Sequence, residues 1–215
     1  MVSPKTKAKT ASQKTNKADK ESVAPLFFYM PDQQNGEFCQ WFPCAFTVST
    51  TDISALVGHA VEPVDRIITF SCTEQFMMYC KAARFHDTER QALILATESP
   101  KEQKRLGKLT VGFTDEGWDP VKSQVVEAGN MAKFGQNIHL KRKLLATGDQ
   151  LLCEAASKDR VWGIGYTAKH AMHHRQHWGE NRLGKALMAV RERLRLEDRH
   201  TTERYRPWEV DDVHL

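Results

Sequence analysis

Apolar positions along the chain fall into short blocks separated by turn residues, with a spacing near two in the first third and three to four afterwards. Leu26, Phe27, Phe28 and Tyr29 follow Pro25 and precede a Pro-, Asn- and Gly-containing stretch over 31–36, so they read as a strand entering a turn. Residues 44–51, with Phe46 and Val48 on one side, and 66–70, with Ile67 and Ile68, read as two further short strands joined by a loop around 58–63. At position 71 the pattern turns helical. Ser71-Cys72-Thr73-Glu74 matches the S/T-x-x-E capping box, in which hydroxyl and carboxylate satisfy free N–H groups at a helix start, and the helix runs to about Phe85.

A second helix over 88–97 is rich in Ala, Leu and Ile. A third opens with Ser99, Pro100 and Glu102 and stops at Gly107. Asp119-Pro120 starts a longer helix with Val121, Val125, Ala128 and Met131/Ala132 on one face, and 138–146 make another that ends at Gly148. Residues 150–156 resemble a strand, and 158–178 are polar, His-rich and glycine-containing, a loop or irregular hairpin. The last helix covers 181–196 with Leu183, Leu187, Val190 and Leu194 as its core stripe; Gly184 within it costs roughly 1 kcal/mol against alanine, which hints at close packing or a nearby ligand. Helices dominate without β-α-β alternation. The expected fold is α+β, mainly helical: a single compact domain over 25–197 with a few short strands.

Composition adds the flanks. Of the 31 Lys and Arg and 27 Asp and Glu, six lysines and two acids fall in residues 1–21, which leaves a neutral body beneath the overall charge of +4. Residues 1–24 are otherwise Thr, Ser, Ala and Gln with hardly an apolar side chain, so they are expected to be a disordered basic tail, either a solvated leader or a loose contact for nucleic-acid phosphates. Residues 198–215 look loosely attached. The longest apolar run, 92–96, is far short of the roughly 20 residues a bilayer helix needs, so no membrane partner is expected. Five cysteines without a C-x-x-C read as free thiols of a cytoplasmic or nuclear protein.

Cleavage of a ribose C1′–N bond passes through an oxocarbenium-like state and needs a carboxylate near C1′, a second group for water or leaving group, and a flat surface for the base. Glu74, Met78, Lys81 and Phe85 follow one another on a single helix face, Glu74 and Lys81 about 10 Å apart in rise, and Lys81 suits a phosphate. The bland alternative makes Glu74 a capping partner of Ser71 and Lys81 an exposed lysine. Over 159–166, Asp159, Trp162, Gly163 and Gly165 crowd an acid, an indole and two glycines into a polar loop, where glycine permits close backbone approach. Trp162 and Trp118 either sandwich a base or ribose or are simply core residues. Gly163-Ile164-Gly165 is no dinucleotide fingerprint, lacking the third glycine and the strand-to-helix setting. His170, His173, His174 and His177 have helical spacing, but without H-E-x-x-H and beside Lys169 and Arg175 they read as a solvated loop and not as a metal site. Neither a cofactor nor a metal is called for.

In order along the chain stand residues 38–41, 73–78 with Lys81-Ala82 and Phe85, Trp118-Asp119, 132–137, 144–148, Glu154, 159–165, and 179–188 with Arg191. Together these separated blocks resemble the NADAR (YbiA-like) domain family over about 26–194. The resemblance implies a compact, mostly helical N-glycosidase of ribosylated bases, cleaving either ribosylamino-pyrimidine phosphate intermediates of riboflavin synthesis or ADP-ribose from guanine in nucleic acid. By correspondence it places Glu74, Trp118, and Asp159 with Trp162 in the site, with Lys133 and Asn181 at matching polar positions. Glu74 or Asp159 then activates water or stabilises the oxocarbenium, the tryptophans hold base and ribose, and Lys81 or Lys133 meets phosphate.

The chain departs from the family at Phe38-Cys39-Gln40-Trp41, where many relatives have F-S-N-F, so Gln40 brings a longer amide to a position tied to substrate choice. The loop over 52–65 and the His-rich insert are longer than a minimal member needs. The partners this implies are an ADP-ribose or phosphoribosyl substrate and, through the basic tail, ADP-ribosylated DNA or RNA. Two other classes compete with a hydrolase: a non-catalytic ADP-ribose or nucleotide-binding module using the same aromatics and lysines, and a nucleic-acid-associated protein whose tail supplies the affinity.

Overall fold

The structure, a computed structural model, describes residues 24–204; expectations for residues 1–23 and 205–215 lie outside the described residues. Four short strands form two separate pairs. β1 (Leu26–Phe28) runs parallel to β4 (Leu152–Glu154), with Leu26 beside Leu152 and Phe28 beside Glu154. β2 (Phe46–Ser49) is antiparallel to β3 (Ile67–Phe70), Phe46 opposite Phe70. Parallel pairing needs a long crossover, and here the helical body of the domain supplies it.

At the centre lies α2 (Thr73–Arg84), buried from Thr73 to Ala83 on every side. A helix enclosed all round is a core helix, and α3 (Thr88–Leu95), α4 (Pro100–Lys108) and α5 (Asp115–Gln136) pack around it. α6 (Ile138–Ala146) leads into the left-handed Gly148, as the sequence suggests. The closing helix, α8 (Arg182–Arg204), buries Leu183, Leu187, Val190 and Leu194 completely against α5 and β4. Gly184 is the close approach its position hints at: a Cβ there would stand 2.1 Å from the Leu152 carbonyl oxygen.

Several expectations change. Residues 50–57 are not a strand and loop but a helix, α1 (Thr50–Val57), capped by the Ser49 side chain on the Asp52 N–H and ended by left-handed Gly58. Its two turns carry three β-branched residues ahead of Ser54, which masks the helical signal. α5 starts at Asp115, where Thr114 caps the Gly117 N–H, so Pro120 sits inside the helix instead of opening it. Gly107 does not end α4 but lies within it, under the Met78 thioether. The polar 158–178 segment contains a short helix, α7 (Ala168–Ala171), and a 3-10 turn over Met172–His177. α8 continues past Leu196 without a break to Arg204, with Lys141 paired to Asp198.

The capping box at 71–74 does not form. The N-cap of α2 is Cys72, without a side-chain hydrogen bond. It is Gln75 whose Oε1 accepts from the Ser71 N–H (2.7 Å) and hydroxyl (3.1 Å), while its Nε2 donates to the Ile94 and Thr97 carbonyls. Gln75 therefore ties α2 to the end of α3, and the Glu74 carboxylate is released from capping.

Candidate active site

The first turn of α2, the end of β4, α4, and the loops 39–41 and 156–162 converge on a cavity of about 250 Å³ lined by Glu74, Glu154, Asp159, Gln40, Trp41, Trp162 and Lys104 among others. It adjoins a second lobe of about 460 Å³ that shares Glu74, Lys104, Lys158, Asp159 and Trp162 and adds Trp118, Lys81, Lys108, Lys122 and Arg160. One end of the cleft is thus a carboxylate pocket, the other a ring of cations beside two indoles.

Three carboxylates meet in the inner cavity. Glu74 is 5% exposed, and burial pushes its carboxyl up to about 7 despite Lys104 and a Trp41 side-chain hydrogen bond, which oppose the rise; Asp159 adds to it. Glu154 is likewise pushed up to about 7, by burial first and by Asp159 and Glu74 as like charges, with Lys104 opposing. Its Oε2 is enclosed without a hydrogen-bond partner among the described residues. Asp159 is fixed differently: Oδ1 accepts from the Val161 (2.9 Å) and Trp162 (2.8 Å) N–H groups, a local turn that sets the indole of Trp162 at the junction of the lobes. Burying a carboxylate among other carboxylates is costly, and groups perturbed in this way cluster at functional sites.

Of the residues singled out in the sequence, Glu74, Asp159, Trp162 and Gln40 line the cavity, and Trp118 and Lys81 line the second lobe. Lys81 is not an exposed helix lysine; it is buried, with its ammonium 3.7 Å from the Phe113 ring centroid. The Gln40 amide is held by the Met77 sulfur and by Asn130. Lys133 does not reach the cleft. It is fully buried, donating to the Glu37 (2.7 Å) and Cys39 (3.0 Å) carbonyls, and burial lowers its ammonium to about 8. It anchors the 37–39 segment and with it the Cys39-Gln40-Trp41 wall. Asn181 is also behind the wall: its amide donates to the Leu152 carbonyl (2.8 Å) and accepts from the Glu154 N–H (3.1 Å).

Gly163 and Gly165 are required by the packing of the loop itself. A Cβ on Gly163 would sit 2.8 Å from the Glu154 carbonyl oxygen, and Gly165 has φ +76° beside the Arg160 side chain. His170, His173, His174 and His177 are exposed, His174 stacking on Tyr166. The residues that sequence reasoning left out of the site are Glu154, Trp41, Lys104, Lys108, Lys122 and Lys158. Lys101, Lys104 and Lys108 recur at helical spacing along α4, a cationic stripe readable from the sequence. Glu154, a lone acid closing an apolar strand, is the other signal.

The NADAR domain family matches residues 27–195. The chain belongs to this family. As a NADAR domain it is similar to "N-glycosidase R617" of Acanthamoeba polyphaga mimivirus, 36% identical over 157 residues that cover 72% of this chain and 85% of that protein. It is also similar to "Riboflavin biosynthesis protein VVA0006" of Vibrio vulnificus, 31% identical over 79% of this chain but only 38% of that longer protein. Among solved structures, the E. coli protein YbiA matches with a TM-score of 0.60 and 26% identity over 81% of this chain and 87% of that one. The mainly helical NADAR fold is therefore shared, and among the described residues no helix is long and apolar enough to cross a membrane.

Proposed function

We infer that this NADAR domain hydrolyses the ribose C1′–N bond of a phosphorylated ribosyl base. The observation that carries the reading is the two-lobed cleft, a buried carboxylate pocket that shares its wall with a lobe ringed by lysines. In the inner pocket Glu74 faces C1′, where its carboxylate offsets the positive charge of the oxocarbenium and takes a proton from the attacking water. Asp159 holds Trp162 in place and adds a fixed negative charge. Trp162 and Trp118 give flat surfaces for base and ribose, and Lys81, Lys108 and Lys158 receive the phosphates in the second lobe. Relatives named N-glycosidase and riboflavin biosynthesis protein support the bond type and one class of substrate.

A ribosylamino-pyrimidine 5-phosphate places one phosphate in the cationic lobe, whereas an ADP-ribosylated guanine in nucleic acid places two there and extends beyond it. For the second substrate the lysine-rich residues 1–21 would add phosphate contacts. Mass-spectrometric product analysis after incubation with each compound tests the reading. Release of ribose 5-phosphate from the first or of ADP-ribose from the second, absent in Glu74→Gln, is the expected result; tight binding of both without turnover would make the domain a binding module.

A further inference from the structure

Glu154 lines the cavity beside Glu74, and its main chain is held firmly in the cavity wall. Its N–H donates to Asn181 Oδ1 and its carbonyl accepts from the Ile164 N–H (2.9 Å). Asn181 is itself left-handed, with φ 54°, and the space behind the Glu154 carbonyl is open only to glycine at 163. The main chain is pinned from three directions while Oε2 is enclosed and unpartnered. Burying a polar oxygen without a partner is unfavourable, and such groups in a ligand cavity point to a bound partner.

We propose that Glu154 is a catalytic acid that protonates the departing base nitrogen, acting as one unit with Glu74. This rests on the N-glycosidase reading. The titratable and charged groups facing it are Tyr29 after β1, Glu74 from α2, Lys104 from α4, Asp159 and Lys158 from the loop, and the Cys39 thiol, which burial pushes up to about 11 and keeps neutral. Two carboxyl groups enclosed together share one proton. Glu74 takes the ionised role, since it receives a Trp41 side-chain hydrogen bond that Glu154 does not. Glu154 takes the protonated role, because its Oε2 is enclosed without a hydrogen-bond partner among the described residues, a setting that costs a carboxylate more than a carboxylic acid.

The step balances. The C1′–N bond breaks with its electron pair going to nitrogen, which takes the Glu154 proton; the water oxygen bonds C1′ and gives its proton to Glu74. Exchange of one proton with solvent restores the pair.

The test is the pH profile of Glu154→Gln and Glu154→Asp on whichever of the ribosylamino-pyrimidine 5-phosphate and the guanine-ADP-ribosylated oligonucleotide the wild type cleaves. The expected result is a kcat lower by about 10²–10³ in the glutamine variant, KM within about threefold, the alkaline limb of the wild-type profile lost, and part of the rate restored by aspartate. An unchanged alkaline limb, or a raised KM at normal kcat, overturns the proposal while leaving the hydrolase intact. Should neither variant fold, carbon-13 titration of the native protein decides: a Glu154 carboxyl already ionised at pH 6 overturns it. A wild type that cleaves neither compound sinks the hydrolase reading and this proposal with it.

Discussion

Glu74 bears an electrostatic cost in the site, and its behaviour with pH follows from the direction of its shift. Its folded value near 7 stands above the ordinary 4.5, as does that of Glu154. A raised carboxyl favours the folded protein while protonated, so this stabilisation is full below about pH 4.5 and is lost as pH rises through about 7. Replacing Glu74 by the neutral isostere glutamine should therefore abolish turnover, by about 10³ or more, and yet raise the unfolding midpoint at pH 8. The gain is bounded by on the order of 3 kcal/mol, and at pH 5 the two proteins should unfold nearly alike. Thermal unfolding at both pH values beside a steady-state assay checks this. Lys104 acts in the opposite sense. It lowers the Glu74 value, so Lys104→Ala should push the acid limb of the pH–rate profile to higher pH, and a limb that does not move would separate Lys104 from the carboxylate.

The elements hold these side chains through a few close approaches. At one, α8 crosses β4 with Gly184 against the Leu152 carbonyl. Gly184→Ala should lower stability by about 2–3 kcal/mol and weaken catalysis by displacing the strand that ends in Glu154, which denaturant unfolding and kcat would register together. The glycine and the leucine stripe of α8 were legible because both are local patterns, as were α6 and the proline-capped start of α4. From the helix pattern alone Glu74 reads either as a site carboxylate or as a capping partner, since Ser71-x-x-Glu74 satisfies the capping motif by spacing; what frees the carboxylate is Gln75 reaching across to the carbonyls of Ile94 and Thr97. Lys133 shows the same limit. The family resemblance offers this lysine for phosphate, but its neighbours in space are two carbonyls distant in sequence, at Glu37 and Cys39. Tertiary partners of this kind leave no periodic trace, and neither does the pairing of β1 with β4 across the whole domain.

At the scale of the molecule, the charges of the folded body nearly cancel, yet cations gather around the second lobe of one cleft. A neutral body with a local cationic ring should bind a phosphorylated ligand in a salt-sensitive way without a broad affinity for polyanions. Lys108→Ala/Lys158→Ala is expected to raise KM about tenfold, a loss of about 1.4 kcal/mol, with kcat preserved; a fall in kcat alone would place these lysines elsewhere in the mechanism. The claim on which all of this turns is that water is added across a ribose C1′–N bond in the inner pocket. Turnover in water labelled with oxygen-18, by the wild type and by Glu74→Gln, tests it most directly. The account predicts label in the sugar product of the wild type, none in the released base, and no labelled product from the variant. Label in the base, or equal labelling by the variant, would contradict it.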